Sequence, residues 1–232
     1  MNKINTFDYL KHFKRIHVKI TDSLFYQIKN KIKEDYKSIR KYNEKYLKIN
    51  VHTLNFEFKS NVYHPFYRIL KIVETLNISQ EELYSNILGF YHWGSHNCEV
   101  KLPNELKIDE FFVEGYALYL AEGDTGFSGK TRPRQFRFTN ANVNVINHMI
   151  SWFNKNFDGH PSYILVHIPL EYKNLDYSYA GIQINHNNLR FVNGHYNKII
   201  KYNLLCYRAV LIDLLLSLES TIKELCSQDA KL

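Results

Sequence analysis

Cysteine is scarce in this chain. Cys98, Cys206 and Cys226 form no CxxC pair and leave an odd count. That excludes a disulfide framework or a cysteine zinc site as the organiser of the fold, and it implies a reducing compartment. No apolar run approaches the ~18 residues that a membrane span needs. The charged start, MNKINTFDYLKHFKR, does not have the form of a signal peptide, so a soluble protein of the cytoplasm or an organelle is expected, with no membrane partner. His160, His167, His186 and His195 never fall into a ligand spacing such as HxxxH, which argues against a His–metal nuclease. No internal repeat is evident. Acids are missing altogether from residues 125–156.

What is present is a core and a lopsided charge. Hydrophobic residues make up 45% of the 232 and aromatics 15%, which rules out a mostly disordered chain and leaves room for one large or two small domains. The net charge of +7 suits a polyanionic partner. Residues 1–50 hold eleven Lys and two Arg against five acids, a net +8, while the other 182 residues carry 17 basic against 18 acidic side chains. The basic excess is N-terminal. Either a solvated helical face or a nucleic-acid contact accounts for it.

Periodicity divides the chain in two. In 22–48, Leu24, Ile28, Ile32 and Tyr36 recur at helical spacing behind Asp22, a candidate N-cap. VHTLNFEF, 51–58, alternates like a short strand. Ile69, Ile72 and Val73 line a helix that stops at Leu76-Asn77, and Ser79 with Glu82 opens a second as a capping box. Residues 65–88 are therefore a helix-turn-helix candidate. GSHNCEVKLPNELKIDE, 94–110, lacks periodicity, and a boundary near 105 separates a basic, mainly helical N-terminal domain (1–105) from a second domain (106–232). There the pattern reads helix 110–123, a short strand at 125–128, strand 134–140, helix 142–156, strand 162–170, strand or hairpin 181–192 and a long helix at about 200–226. The class is α+β, in the order αββαββα.

The first of those helices ends oddly. GYALYLAEGDTGF, 115–127, is an apolar run that closes on Glu122, Gly123 and Asp124, although a carboxylate at a helix C-terminus is disfavoured by up to ~1 kcal/mol. Ala117, Leu118, Leu120 and Ala121 are expected to be buried, and Ala117 and Ala121, at i and i+4, form a small face that admits close helix contact. GYALYLAEG, 115–123, resembles the nine-residue signature of the LAGLIDADG homing endonucleases, and the αββαββα order of 106–232 is that family's core fold. Gly115 replaces a Leu, Leu120 an acid and Glu122 an Asp. The resemblance implies a saddle-shaped antiparallel sheet and two motif helices packed together, one per domain, with Ala117, Leu118 and Ala121 at the contact. It implies that Glu122, with Gly123, holds Mg²⁺ or Mn²⁺ beside a scissile phosphate, and that a Lys or Gln assists water or phosphate. Gln135, Gln183, Lys198 and Lys201 are the candidates. Asp124 is an accessory or turn residue.

The residues after the motif suit DNA on their own terms. KTRPRQFRFTN, 130–140, has Lys130, Arg132, Arg134 and Arg137 and no acid; Gln135, Arg137 and Thr139 alternate with Phe136 and Phe138. One face is apolar and the other offers Arg, which reads guanine, and Gln, which reads adenine. GIQINHNNLRF repeats the arrangement with Gln183 and Asn185 outward, and Arg190 adds a further cation. A single motif implies a homodimer on a pseudo-palindromic double-stranded DNA site. The rival expectations are an inactive DNA-binding regulator of the same fold and an RNA-splicing maturase.

Overall fold

The structure, a computed structural model, describes residues 2–92, 100–124, 136–157, 163–169, 189–194, 201–206 and 209–229. In chain order the elements are β1 (Asn2–Asn5), α1 (Thr6–Leu10), β2 (Ile16–Ile20), α2 (Asp22–Tyr36), α3 (Ile39–Tyr42) continued by a π-helical turn (Asn43–Leu47), α4 (Val51–Lys59), β3 (His64–Pro65), α5 (Phe66–Thr75), α6 (Gln80–Ser85) and β4 (Ile87–His92). They continue with β5 (Glu105–Ile108), α7 (Glu110–Glu122), β6 (Gly123–Asp124), β7 (Phe136–Asn140), α8 (Val143–Asn156), β8 (Tyr163–Pro169), β9 (Leu189–Gly194), β10 (Lys201–Cys206), α9 (Ala209–Ser217) and α10 (Glu219–Asp229). The chain is mixed α and β. It divides into two compact units, Thr6–Asn104 and Met1–Asn5 with Glu105–Leu232. The first residues join the second unit because β1 pairs antiparallel with β5, from Asn2 opposite Ile108 to Asn5 opposite Glu105.

In the unit Thr6–Asn104, β2 lies between β3 and β4 in an antiparallel sheet. Ile16, Val18 and Ile20 alternate inward and are fully buried. Thr21, not Asp22, caps α2, accepting from the Leu24 N–H, and the helix turns Leu24, Phe25, Ile28 and Ile32 to the core. Phe7, Phe66, Tyr84 and Phe90 pack together at the centre, Phe7 edge to face with Phe66 and Tyr84 and Phe66 with Phe90, with Phe7 and Tyr84 centroids 4.6 Å apart. Ser79 caps α6 at the Glu82 N–H, but the Glu82 carboxylate accepts from Gln27 instead.

Residues 51–59 and 201–206 take a different form from the one their sequence pattern suggests. Residues 51–59 are a helix, not a strand, because Asn50 caps the His52 N–H and the turn spacing buries Leu54, Glu57 and Phe58. Burying Glu57 is tolerable because Arg68 of α5 donates to its carboxylate. The alternating Phe56 is left 66% exposed. Residues 201–206 are a strand followed by two helices rather than the start of one long helix. Tyr202, Leu204 and Cys206 of β10 align with Asn140, Phe138 and Phe136 of β7, while its other edge pairs with β8.

The second unit is a five-stranded sheet in the order β6-β7-β10-β8-β9. All pairs are antiparallel except β8 with β9, a parallel pair that the expected antiparallel sheet does not contain. A parallel neighbour needs a crossover of a dozen or more residues, and 170–188 are long enough to supply it. Helices cover one face. Tyr119 of α7 stacks on Phe136 at 4.8 Å, and Phe153 of α8 meets the same ring at 5.5 Å. Two buried hydrogen bonds fix the helices: Trp152 Nε1 donates to the Phe112 carbonyl at 3.0 Å, and the Tyr116 hydroxyl to the Leu215 carbonyl at 2.9 Å.

Candidate metal and nucleic-acid site

Helix α7 begins at Asp109, whose carboxylate accepts from the Phe112 N–H at 2.9 Å and from Lys155 at 3.1 Å. The backbone bond first, and Lys155 after it, hold that carboxyl below its usual range. The buried face of α7 is Phe112, Gly115, Tyr116 and Tyr119. This reverses part of the expectation: Ala117, Leu120 and Ala121 are exposed and Leu118 is half-buried, because the aromatic residues take the core side. The small-residue stripe therefore faces outward.

The helix passes straight into the sheet. Gly123 leaves it in an extended conformation (φ −79°, ψ 145°), its N–H bonded to the Tyr119 carbonyl. Here glycine is required by space, not by φ, since a Cβ would lie 2.3 Å from that same carbonyl oxygen and 2.5 Å from the Tyr119 ring. Gly123 then pairs with Phe138, and Asp124 with Arg137. Asp124 is thus a strand residue at the sheet edge. Glu122, immediately before, is exposed.

The last turn of α7 has no basic residue. Asn140, at the end of β7, meets the Glu122 carboxylate instead: its Nδ2 donates to Glu122 Oε2 at 2.8 Å. The amide cannot flip without cost, because Asn140 Oδ1 accepts the Asn142 N–H at 2.7 Å. Asn142 in turn caps α8, accepting from the Asn144 N–H at 2.9 Å. A chain of asparagines therefore ties the start of α8 to the end of α7. The sequence reading missed Asn140. Its signal is the Asn-x-Asn preceding a helix, which announces a cap but not a reach of 18 residues back to Glu122.

Some of the residues expected to contact DNA fall on strands of the five-stranded sheet. Phe136 and Phe138 are fully buried and Arg137 and Thr139 half-buried, the alternation expected of β7. Thr139, Asn203, Leu165 and Arg190 form one register row across β7, β10, β8 and β9. Arg137, Leu205 and Tyr163 form another register row, and Lys201 stands opposite His167. Arg137, Thr139, Arg190 and Lys201 thus share one sheet. Lys130, Arg132, Arg134, Gln135, Gln183, Asn185 and Lys198 lie outside the described residues, as does the strand expected at 125–128.

Among the described residues no three His, Cys, Asp or Glu side chains converge as a metal site. Glu122 is a single exposed carboxylate at a helix end, and hard oxygen is the donor that Mg²⁺ or Mn²⁺ takes. None of the described helices is long and apolar enough to cross a membrane. The helix-turn-helix candidate has a six-residue second helix that exposes Gln80, Glu81 and Ser85. The exposed Glu81 opposes approach to phosphates. Comparison of the chain with protein-family models, curated proteins and solved structures finds no match.

Proposed function

We propose that the chain is a divalent-metal-dependent DNA endonuclease of the LAGLIDADG type, cutting a pseudo-palindromic double-stranded site as a homodimer in the cytoplasm or an organelle. One observation carries the reading. Glu122 stands exposed at the end of a helix with no cation in its last turn, oriented by Asn140 beside a sheet that bears Arg137 and Thr139. Ala117, Leu118 and Ala121 would form the contact with a second α7, bringing two Glu122 carboxylates together. Glu122, with the Gly123 carbonyl, would hold Mg²⁺ or Mn²⁺, which supplies Lewis acidity at the scissile phosphate. Asn140 keeps the carboxylate aimed. Arg137 and Thr139, with Arg190 in the same sheet, contact base edges, and the N-terminal lysines contact phosphates.

The deciding experiment is cleavage of a randomised plasmid library with Mg²⁺ or Mn²⁺ by wild type and by Glu122→Gln. The substitution keeps shape and removes charge, so cleavage should vanish while DNA affinity persists. A fully active Glu122→Gln enzyme removes Glu122 from the site. DNA binding without cleavage by wild type favours the regulator, and tighter binding to structured intron RNA favours the maturase.

A further inference from the structure

Three tyrosines meet on the N-terminal unit, where α2 ends and the π-helical turn follows α3. Tyr42 is fully buried, whereas Tyr36 and Tyr46 are half-buried. The Tyr36 ring lies 5.1 Å from that of Tyr42 and 5.4 Å, nearly perpendicular, from that of Tyr46. Lys45 Nζ sits 5.0 Å from the Tyr46 ring centre and 5.6 Å from that of Tyr36. The segment is braced from beneath by Asn43, 5% exposed, whose side chain bonds both the N–H and the carbonyl of Ile49.

The hydroxyls have a direction. Tyr36 Oη donates to Tyr46 Oη at 3.2 Å. The same bond pushes the Tyr36 phenol up to about 12 and, with Lys45, draws the Tyr46 phenol down. A hydroxyl that accepts from one neighbour keeps its own proton to give, and the bond it accepts polarises the one it makes. Tyr46 O–H and the Lys45 ammonium are then two adjacent donors suited to one anionic oxygen group. Residues 29–48 hold eight Lys or Arg against three acids. Of those acids Glu44 is paired with Arg40, and Asp35 acts on Tyr36. Lys33, Lys37, Lys41 and Lys48 are exposed around the pair.

We propose that Tyr46 and Lys45, with the lysines around them, are a phosphodiester-binding surface of the N-terminal unit, whose partner is the backbone of a nucleic acid. The inference rests on the nucleic-acid reading above and goes further by naming the contact. Phosphates repeat along a strand as the lysines repeat along this segment, and a polyanion gains by releasing counterions on contact.

The test is anisotropy of the full chain with labelled duplex DNA, single-stranded DNA and duplex RNA of one sequence across a salt series. Lys45→Gln should lower the slope of log affinity against log salt on duplex DNA by about 0.9. Tyr46→Phe keeps the ring and its packing, and should weaken binding to every sequence by roughly tenfold. Both variants should melt like wild type, and Lys223→Gln, a charge loss elsewhere, should leave the slope alone. Unchanged affinity and slope in both variants overturn this surface while leaving the endonuclease reading to its cleavage assay. Binding to polyglutamate but to no nucleic acid overturns it in favour of an acidic protein. Wild type that binds nothing at low salt overturns both readings. The ranking of the three nucleic acids identifies which backbone is held.

Discussion

Trp152 of α8 fills the space that any side chain at Gly115 of α7 would need: a Cβ there would lie 2.2 Å from its Cδ1. The indole cannot swing away cheaply, because its Nε1–H is bonded to the Phe112 carbonyl and its ring is fully buried. The tryptophan explains the glycine. Gly115→Ala would gain about 1 kcal/mol of helix propensity on an isolated helix. In the folded chain overpacking should outweigh it, for a net loss of about 1–3 kcal/mol. Denaturant unfolding measures the difference, and Trp152→Phe in the same chain should recover part of it. A more stable Gly115→Ala would mean that the α7–α8 contact is looser than this.

The second prediction concerns acid. His64 is 2% exposed, its ring is 5.7 Å from Phe25, and its Nε2 has no hydrogen-bond partner among the described residues. Burial, reinforced by the charges of Lys19 and Arg68, holds its pKa down to about 4. An unfolded histidine titrates near 6.5. The unfolded state therefore takes the proton first, and stability present above about pH 6.5 is lost as pH falls toward 4, by up to ~3 kcal/mol. Unfolding measured stepwise across that window should show the slope, and His64→Gln should flatten it. An equally steep slope in His64→Gln would assign the titration to another group.

Helix α8 was plain in the sequence because Ile146, Met149, Ile150 and Phe153 repeat at helical spacing behind a capping Asn142, all within one segment. Helix α4 was not. Leu54, Phe56 and Phe58 alternate as a strand would, and the partner that lets Glu57 be buried in the helix, Arg68, comes from another helix eleven residues away. Strand β10 was hidden because Leu204 and Leu205 run into the leucines of α9. Only pairing with β7 and β8 separates period two from period 3.6 there. At the candidate site the same division holds. A helix ending on an exposed acid can be read locally, but the amide that Asn140 brings to Glu122 comes from tertiary structure.

The third prediction follows from the outward stripe on α7. Ala117 and Ala121 are exposed, and Leu120 is 45% exposed beside them. If this face meets a second α7, Ala121→Leu should abolish self-association and cleavage. Within one chain the position has room, so the melting of the monomer should change by no more than about 0.5 kcal/mol. Light scattering of wild type and variant separates the two effects. An undiminished dimer in Ala121→Leu places the interface elsewhere, and a wild-type monomer on its DNA site leaves Glu122 without a second carboxylate.

The last prediction divides affinity from discrimination. Arg137 sits on β7 between the buried Phe136 and Phe138, at a register position fixed from both sides by Asp124 and Leu205. A cation so placed on a sheet can address one base pair, whereas lysines on α2 and the turns after it, such as Lys33, Lys37 and Lys41, are exposed and carry no such registration. Base-edge contacts give specificity, and phosphate contacts give salt-dependent affinity. Arg137→Ala should lose roughly 1–3 kcal/mol on the preferred site and relax selection at a single position. Neutralising Lys33, Lys37 and Lys41 together should weaken binding to all sequences and flatten its dependence on salt. Site selection from a random pool, followed by salt titration of both variants, measures the two quantities separately. If the lysine variant changed the preferred sequence while Arg137→Ala weakened every site alike, the N-terminal unit would be the reader and the sheet only a backbone contact.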